Sequence, residues 1–93
     1  MVNAVILINA ERTKIHALSE KLTEFEEISE VYSVAGDYDL VAIVRVRRNE
    51  DLANLVTEKM ITLEGITRTN TLFAFRTFSR HDLEQMFAIG MNA

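Results

Sequence analysis

Two strand–helix–strand units in series predict an α+β fold of order βαββαβ, an antiparallel sheet with both helices on one face. Three observations point there. Hydrophobic spacing changes from a period of two to helical spacing and back, and does so twice. A Gly36-Asp37 turn stands between the two units. The chain runs 93 residues with no proline, no cysteine and no Gly-rich linker, so a single domain is expected to hold all of it.

The first strand is Val2–Ala10. Its even positions Val2, Ala4, Ile6 and Ile8 are all apolar, and its odd ones read Asn3, Val5, Leu7, Asn9. Ile15, Leu18, Leu22 and Phe25 then recur at helical spacing, with Lys14, Glu20, Lys21, Glu24 and Glu27 on the other faces, which predicts an amphipathic helix over 12–27. Ile28–Ala35 is rich in β-branched residues and stops at Gly36-Asp37. Leu40 to Arg47 forms the next strand, making a hairpin across residues tolerant of positive φ. Asn49 is expected to cap a second helix, with Glu50 and Asp51 at its positive end. Leu52, Leu55, Val56, Met60 and Leu63 would be its buried stripe, and Gly65 its end. A fourth strand is expected over Ile66–Phe78, with Thr67, Thr69, Thr71, Phe73 and Phe75 on one face. Ser79-Arg80-His81-Asp82 resembles a capping box opening a short C-terminal helix over 79–90, with Leu83, Met86 and Phe87 on one side. The order is that of a ferredoxin-like sandwich with right-handed crossovers.

In the third strand Leu40, Ala42, Val44 and Val46 suit the helix-covered core. The alternate positions should be polar if that face meets water, yet Val41 and Ile43 occupy them, matched by Val5 and Leu7 in the first strand. Four aliphatics on an open sheet predict a homodimer made by sheet-to-sheet packing, a dimeric α+β barrel. The competing expectation is that the C-terminal helix folds back over this face. A chain of this length buries only ~60–65% of its unfolded surface, so burial by a second copy would complete a thin core.

Composition excludes several functions. Acidic residues outnumber basic ones by 14 to 10, and a net charge of −4 is a poor footprint for nucleic acid or an anionic membrane. Without cysteine there is no disulfide, thiolate zinc site, iron–sulfur cluster or thiol nucleophile. Stability must then come from packing, which fits a cytoplasmic protein, and the apolar run at residues 2–8 is too short to span a membrane and lacks the flanks of a signal peptide. His16 and His81 have no partner at metal-ligand spacing and read as surface side chains. The acidic string Glu24 to Glu27 reads as a solvated helix exterior, and Arg45, Arg47 and Arg48 as a strand edge that discourages pairing. No catalytic residue, cofactor or metal is expected.

Gly36-Asp37-Tyr38-Asp39 is the exception. It has a bland reading as turn chemistry and a functional one as a clasp for a small ligand. A glycine lets backbone N–H groups approach an anionic group, and a carboxylate pairs with an ammonium, so the segment suits an α-amino acid. Thr69 and Thr71 would add hydroxyl contacts, although strand propensity alone accounts for most such threonines.

The stretch Glu30-Val31-Tyr32-Ser33-Val34-Ala35-Gly36-Asp37-Tyr38-Asp39-Leu40, followed by Leu63-Glu64-Gly65-Ile66-Thr67-Arg68-Thr69-Asn70-Thr71, resembles the effector domain of the Lrp/AsnC (feast/famine) transcription regulators. That module, named for regulation of amino-acid metabolism (RAM), carries a G-D-Y-D hairpin and a later G-V-x-R-T-x-T strand. The resemblance spans residues 1 to about 78 and departs modestly, with Ile66 for the commoner Val and Glu64 where Pro is frequent. It implies sheet-packed dimers assembled into a ring, an octamer or a decamer, with an amino acid bound between dimers. Carried over by position, the ligand-binding residues are Gly36, Asp37, Tyr38, Asp39, Thr69 and Thr71. No counterpart of the family's N-terminal helix-turn-helix domain is found, so the expectation is a stand-alone, non-catalytic effector module. Co-assembly with full-length relatives would make its effect on transcription indirect. Two other readings compete: a small dimeric α+β-barrel enzyme of the antibiotic-synthesis monooxygenase type, and a structural assembly partner with no ligand.

Overall fold

The computed structural model describes residues 1–80. The predicted ferredoxin-like order is present. Strand β1 is Val2–Ala10, helix α1 Ile15–Thr23, β2 Ile28–Ser33, β3 Leu40–Val46, helix α2 Asn49–Asn54, and β4 Ile66–Phe73. The four strands form one antiparallel sheet in the order β2-β3-β1-β4. Of the helix expected over 79–90, residues 81–90, with His81, Leu83, Met86 and Phe87, lie outside the described residues.

Pleat parity divides the sheet as the spacing predicts. Ala4, Ile6 and Ile8 of β1 and Leu40, Ala42, Val44 and Val46 of β3 are buried under the helices. Leu18 and Leu22 of α1, Leu52 of α2, and Leu55 and Met60 just beyond it fill the space above them. Each of these large side chains contributes roughly 1.5–3 kcal/mol by leaving water. On the outer face Val5 lies opposite Ile43 and Leu7 opposite Val41, so the four expected aliphatics stand together. Leu72 of β4, opposite Val5, extends the row and is half exposed.

Several boundaries differ from expectation. A 3-10 turn, Arg12–Lys14, precedes α1. The helix stops at Thr23 rather than 27, because Glu24, Glu26 and Glu27 would crowd its negative end. Arg48, in extended conformation, occupies the cap expected of Asn49, and the Asp51 carboxylate reaches back to accept from the Arg48 N–H at 3.3 Å. Beyond α2 the chain widens into a π-turn over Leu55–Lys59, then a 3-10 turn over Met60–Thr62. The Met60 N–H donates to the Leu55 carbonyl, and the wider turn brings Met60 into the core beneath Leu55 while Val56 stays half-buried. Arg45, Arg47 and Arg48 do not guard a sheet edge as expected, since β3 is an inner strand. β2 and β4 are the edges.

Both edge strands carry a bulge near their start. Ile66 faces Ala10 and Arg68 faces Asn9, leaving Thr67 without a partner. Ile28 faces Val44 and Glu30 faces Ile43, leaving Ser29 extra. Each bulge reverses the parity of the residues beyond it. Ile28 and Ile66 point toward the core, while Glu30 and Arg68 lie on the outer face.

The acidic string is not wholly solvated. Lys59, on the π-turn, donates to Glu27 Oε2, and the Glu27 side chain is only 14% exposed. The hydrogen bond from Lys59 holds the Glu27 carboxyl below its usual range against the opposing effect of burial, and it raises Lys59. A carboxylate with a lowered folded-state pKa contributes stability above its unfolded value, and that contribution drains away as pH falls through the folded value. Glu27→Gln should therefore melt below the wild type at neutral pH, with the gap closing in acid; melting curves from pH 7 to pH 3 check this.

Gly65 sits where the chain packs closely against the turn before α1. Its carbonyl accepts from the Glu11 N–H at 2.8 Å, its φ is +98°, and a Cβ there would meet Lys14 Cβ at 2.6 Å. Gly36 has φ +122° but open space around it. Gly65→Ala should cost about 2–4 kcal/mol and Gly36→Ala about 1–2 kcal/mol, a ranking that urea melts will resolve.

Candidate functional site

The hairpin connection between β2 and β3 folds against the end of β1. Two backbone bonds close it: the Val34 N–H donates to the Asp39 carbonyl at 3.0 Å, and the Asp39 N–H to the Ile8 carbonyl at 2.9 Å. The Asp39 carboxylate then takes the Ala10 N–H on Oδ2 at 2.9 Å, at the point where the β1–β4 ladder shifts register. Asn9 Nδ2 donates to the Asp37 carbonyl at 2.8 Å, and Asn70 Nδ2 to the Tyr38 phenol oxygen at 3.5 Å.

Gly36, Asp37, Tyr38 and Asp39 are thus brought together in one well-tethered loop. Gly36 and Asp37 are exposed, and Tyr38 and Asp39 half-buried. Chemically the loop offers two things. The Asp37 carboxylate faces water with no ion pair among the described residues, free for an ammonium group. Gly36 presents a backbone stretch with nothing within 4 Å of its Cα substituent position, open to a small ligand. Asp39, by contrast, has one oxygen committed to the fold.

Thr69 and Thr71 are not brought to the same side. They lie opposite Ile8 and Ile6, on the helix-side face of the sheet, whereas the phenol of Tyr38 meets Asn70 on the outer face. Both threonines are nonetheless exposed, as is Phe73 beyond them, because α1 and α2 pack chiefly over β1, β2 and β3. Thr69 also borders a hollow of about 220 Å³ lined by Val56, Met60, Ile61, Leu63 and Ile66.

The residue types alone did not single out Asn9 and Asn70. Their signal is positional: each is polar at the outer-face parity of a strand whose neighbours at that parity, Leu7 and Leu72, are aliphatic. A second cleft, about 330 Å³, lies at the other end of β3 between Glu26, Glu27, Arg45, Asp51 and Lys59, where Glu27 and Lys59 already neutralise one another. His16 is exposed and meets Glu20 one helical turn on at 2.9 Å, and no group of three His, Asp or Glu is placed to hold a metal among the described residues. Among those residues, too, no helix is long and apolar enough to cross a membrane.

Residues 3–83 match the family described as Lrp/AsnC ligand binding domain. The chain belongs to that family. Among relatives of this Lrp/AsnC domain is the HTH-type transcriptional regulator FL11 of Pyrococcus furiosus, 34% identical over 73 residues, which are 78% of this chain and 48% of FL11. The chain thus spans about half the length of the regulators it matches. Among solved structures, TTHA0845 from Thermus thermophilus superimposes with a TM-score of 0.81 at 45% identity, covering 86% of this chain and all of its own. E. coli AsnC superimposes at 0.78 with 25% identity, over 85% of this chain and 54% of AsnC. The Lrp/AsnC domain is a regulatory, ligand-binding one, and its named relatives are transcriptional regulators.

The two hairpin aspartates should separate in stability measurements. Asp39→Ala strands the Ala10 N–H and should cost about 1–3 kcal/mol, whereas Asp37→Ala should leave the melting temperature within a degree or two. Paired thermal melts of the two variants check the division of labour.

Proposed function

We propose that this Lrp/AsnC domain is a non-catalytic, cytoplasmic effector-binding module that takes a small amino acid at the Gly36–Asp39 hairpin and acts on transcription through its assembly. The observation that carries the reading is the tethered hairpin itself: a loop held by the Asn9, Asn70 and Ala10 donors keeps the Asp37 carboxylate exposed and without an ion pair among the described residues. Turn chemistry alone also accommodates an exposed aspartate, so it is the tethering of the loop that favours a binding role. An isolated exposed carboxylate binds an ammonium weakly in water, so affinity requires that a neighbouring surface exclude solvent.

That surface is a second copy of the chain. Thr69 and Thr71 are exposed on the face opposite the hairpin's phenol, so they reach an effector at a hairpin only from a neighbouring subunit. In this arrangement the outer faces pack sheet to sheet through Val5, Leu7, Val41, Ile43 and Leu72. The resulting dimers close into a ring that places the Thr69–Thr71 strand of one dimer near the Gly36–Asp39 loop of the next. Full-length Lrp/AsnC regulators, such as E. coli AsnC with which this chain shares its fold, are the partners suited to co-assembly.

Against the monooxygenase reading stands the absence, among the described residues, of a positioned histidine: His16 is on the exposed side of α1. The structural-partner reading shares the fold and the faces and differs only in leaving the loop empty.

Calorimetric titration of the assembled protein with each of the twenty amino acids tests the proposal. Binding of at least one at micromolar to millimolar Kd is expected. It should be lost in Ile43→Asp, which buries a charge in the sheet-to-sheet contact and should sediment as a monomer. An assembled wild type that binds none of the twenty would hand the case to the structural-partner reading.

A further inference from the structure

Resting on the effector reading above, we infer that Arg68, flanked by Asn9 and Asn70, holds the carboxylate of the effector, opposite the Asp37 carboxylate that holds its ammonium. The bulge at Thr67 makes the placement. In an unbroken strand residues two apart share a face, and Arg68 would lie beneath the helices with Ile66. The extra residue reverses parity between them: Ile66 faces Ala10 on the core side, and Arg68 faces Asn9 on the outer side. A guanidinium is thereby delivered to the sheet face that carries the hairpin's anchors.

Its neighbours on that face are the hairpin's own tethers. Asn9, directly across the ladder from Arg68, donates to the Asp37 carbonyl at 2.8 Å. Asn70, the next β4 residue on the same face, donates to the Tyr38 phenol oxygen at 3.5 Å. Directly opposed strand residues are separated by about 4.5–5.5 Å at Cα and next neighbours along a strand by about 7 Å. An amino acid's two charged groups lie within that span of each other.

Arg68 is also a cation without an internal ion pair, and the one such cation beside the hairpin's tethers among the described residues. Arg48 pairs with Glu50 and Asp51, Lys59 with Glu27, and His16 with Glu20, but Arg68 is exposed and has no ion pair among the described residues. Its planar fork matches a carboxylate bidentately, which an ammonium cannot do. The phenol of Tyr38 and the amide of Asn70 bracket the same position with polar groups able to complete a carboxylate's hydrogen bonds.

The test compares the amino acid that binds the wild type most tightly with its α-carboxamide, which keeps the ammonium and side chain but removes the negative charge. Both are titrated into the assembled wild type, Arg68→Gln and Arg68→Lys. The wild type should favour the acid over the amide by roughly tenfold to a hundredfold. Arg68→Gln should bind the acid as weakly as the amide, with the amide's own affinity unchanged, and Arg68→Lys should restore part of the preference. Arg68→Gln should keep the wild-type oligomer mass. Undiminished acid-over-amide preference in Arg68→Gln overturns this assignment while leaving the effector reading intact. Loss of the oligomer in that variant also overturns it, assigning Arg68 to a contact between copies. A wild type that binds no amino acid removes the effector reading and this assignment with it.

Discussion

The pairing of β1 with β3 is the constraint on which the rest of the molecule depends. Seven consecutive pairs, from Val2 with Val46 to Ile8 with Leu40, run without a slip. A one-residue shift would turn Ala4, Ile6 and Ile8 outward and bring Asn3 and Asn9 under the helices. Aliphatics occupy both faces of these strands, so hydrophobicity alone separates the two registers less sharply than in a one-sided sheet. The small Ala4 and Ala42 on one face, where helices must approach, and the polar ends Asn3, Asn9 and Arg45 on the other decide between them. The bond from the Asp39 N–H to the Ile8 carbonyl then fixes where the hairpin meets β1.

The edges depart from this regularity, and the departures do specific work. At Ser29 and at Thr67 an extra residue lets an isoleucine anchor the core while the following charged residue lies on the outer face. Glu30 there accepts from the Tyr32 phenol at 2.6 Å, a bond that raises the phenol's pKa. The outer face thus acquires a polar rim of Glu30, Tyr32, Arg45, Arg68 and Asn70 around Val5, Leu7, Val41, Ile43 and Leu72. An apolar centre with a polar border is how recognition surfaces are composed, and bulges discourage unintended pairing along exposed strands.

Much of this was legible in the residues. The first strand was read to its ends, the third to within one residue, and the buried stripes of both helices fell where their spacing placed them. What was illegible has physical causes. Thr67 through Phe75 alternates smoothly and reads as strand to residue 78, yet β4 ends at Phe73, close to where its partner β1 begins at Val2. The contact then continues as the bond from the Ala74 N–H to the Asn3 carbonyl and that from the Asn3 side chain to Thr77. The π-turn was hidden because Leu55 and Val56 both satisfy a helical stripe, and only the Lys59–Glu27 contact and the seat for Met60 choose the wider turn. For the candidate site, the motif placed the hairpin residues but not the face of Thr69 and Thr71, because the bulge that sets β4 parity has no signature in residue type. Asn70 is hidden by the same bulge, whereas the face of Asn9 follows from β1 parity and only its partner, the Asp37 carbonyl, needs the folded hairpin.

The two ends of the sheet show what a ligand site must give up. At the far end Glu27 with Lys59, and Arg48 with Asp51, satisfy one another within the chain. At the hairpin end Asp37 and Arg68 do not, although both stand beside side chains that tether the loop. Pairing them would close the site, since each internal ion pair must be broken before a ligand's charges can replace it. In the proposed assembly the cost of leaving them open is recovered only when a neighbouring copy excludes water and an effector supplies both opposite charges. Binding and assembly then share free energy: an effector that prefers the closed ring tightens it, and the ring tightens the effector by the same factor. A module built this way needs no moving part within one subunit, because the responsive element is the contact between copies.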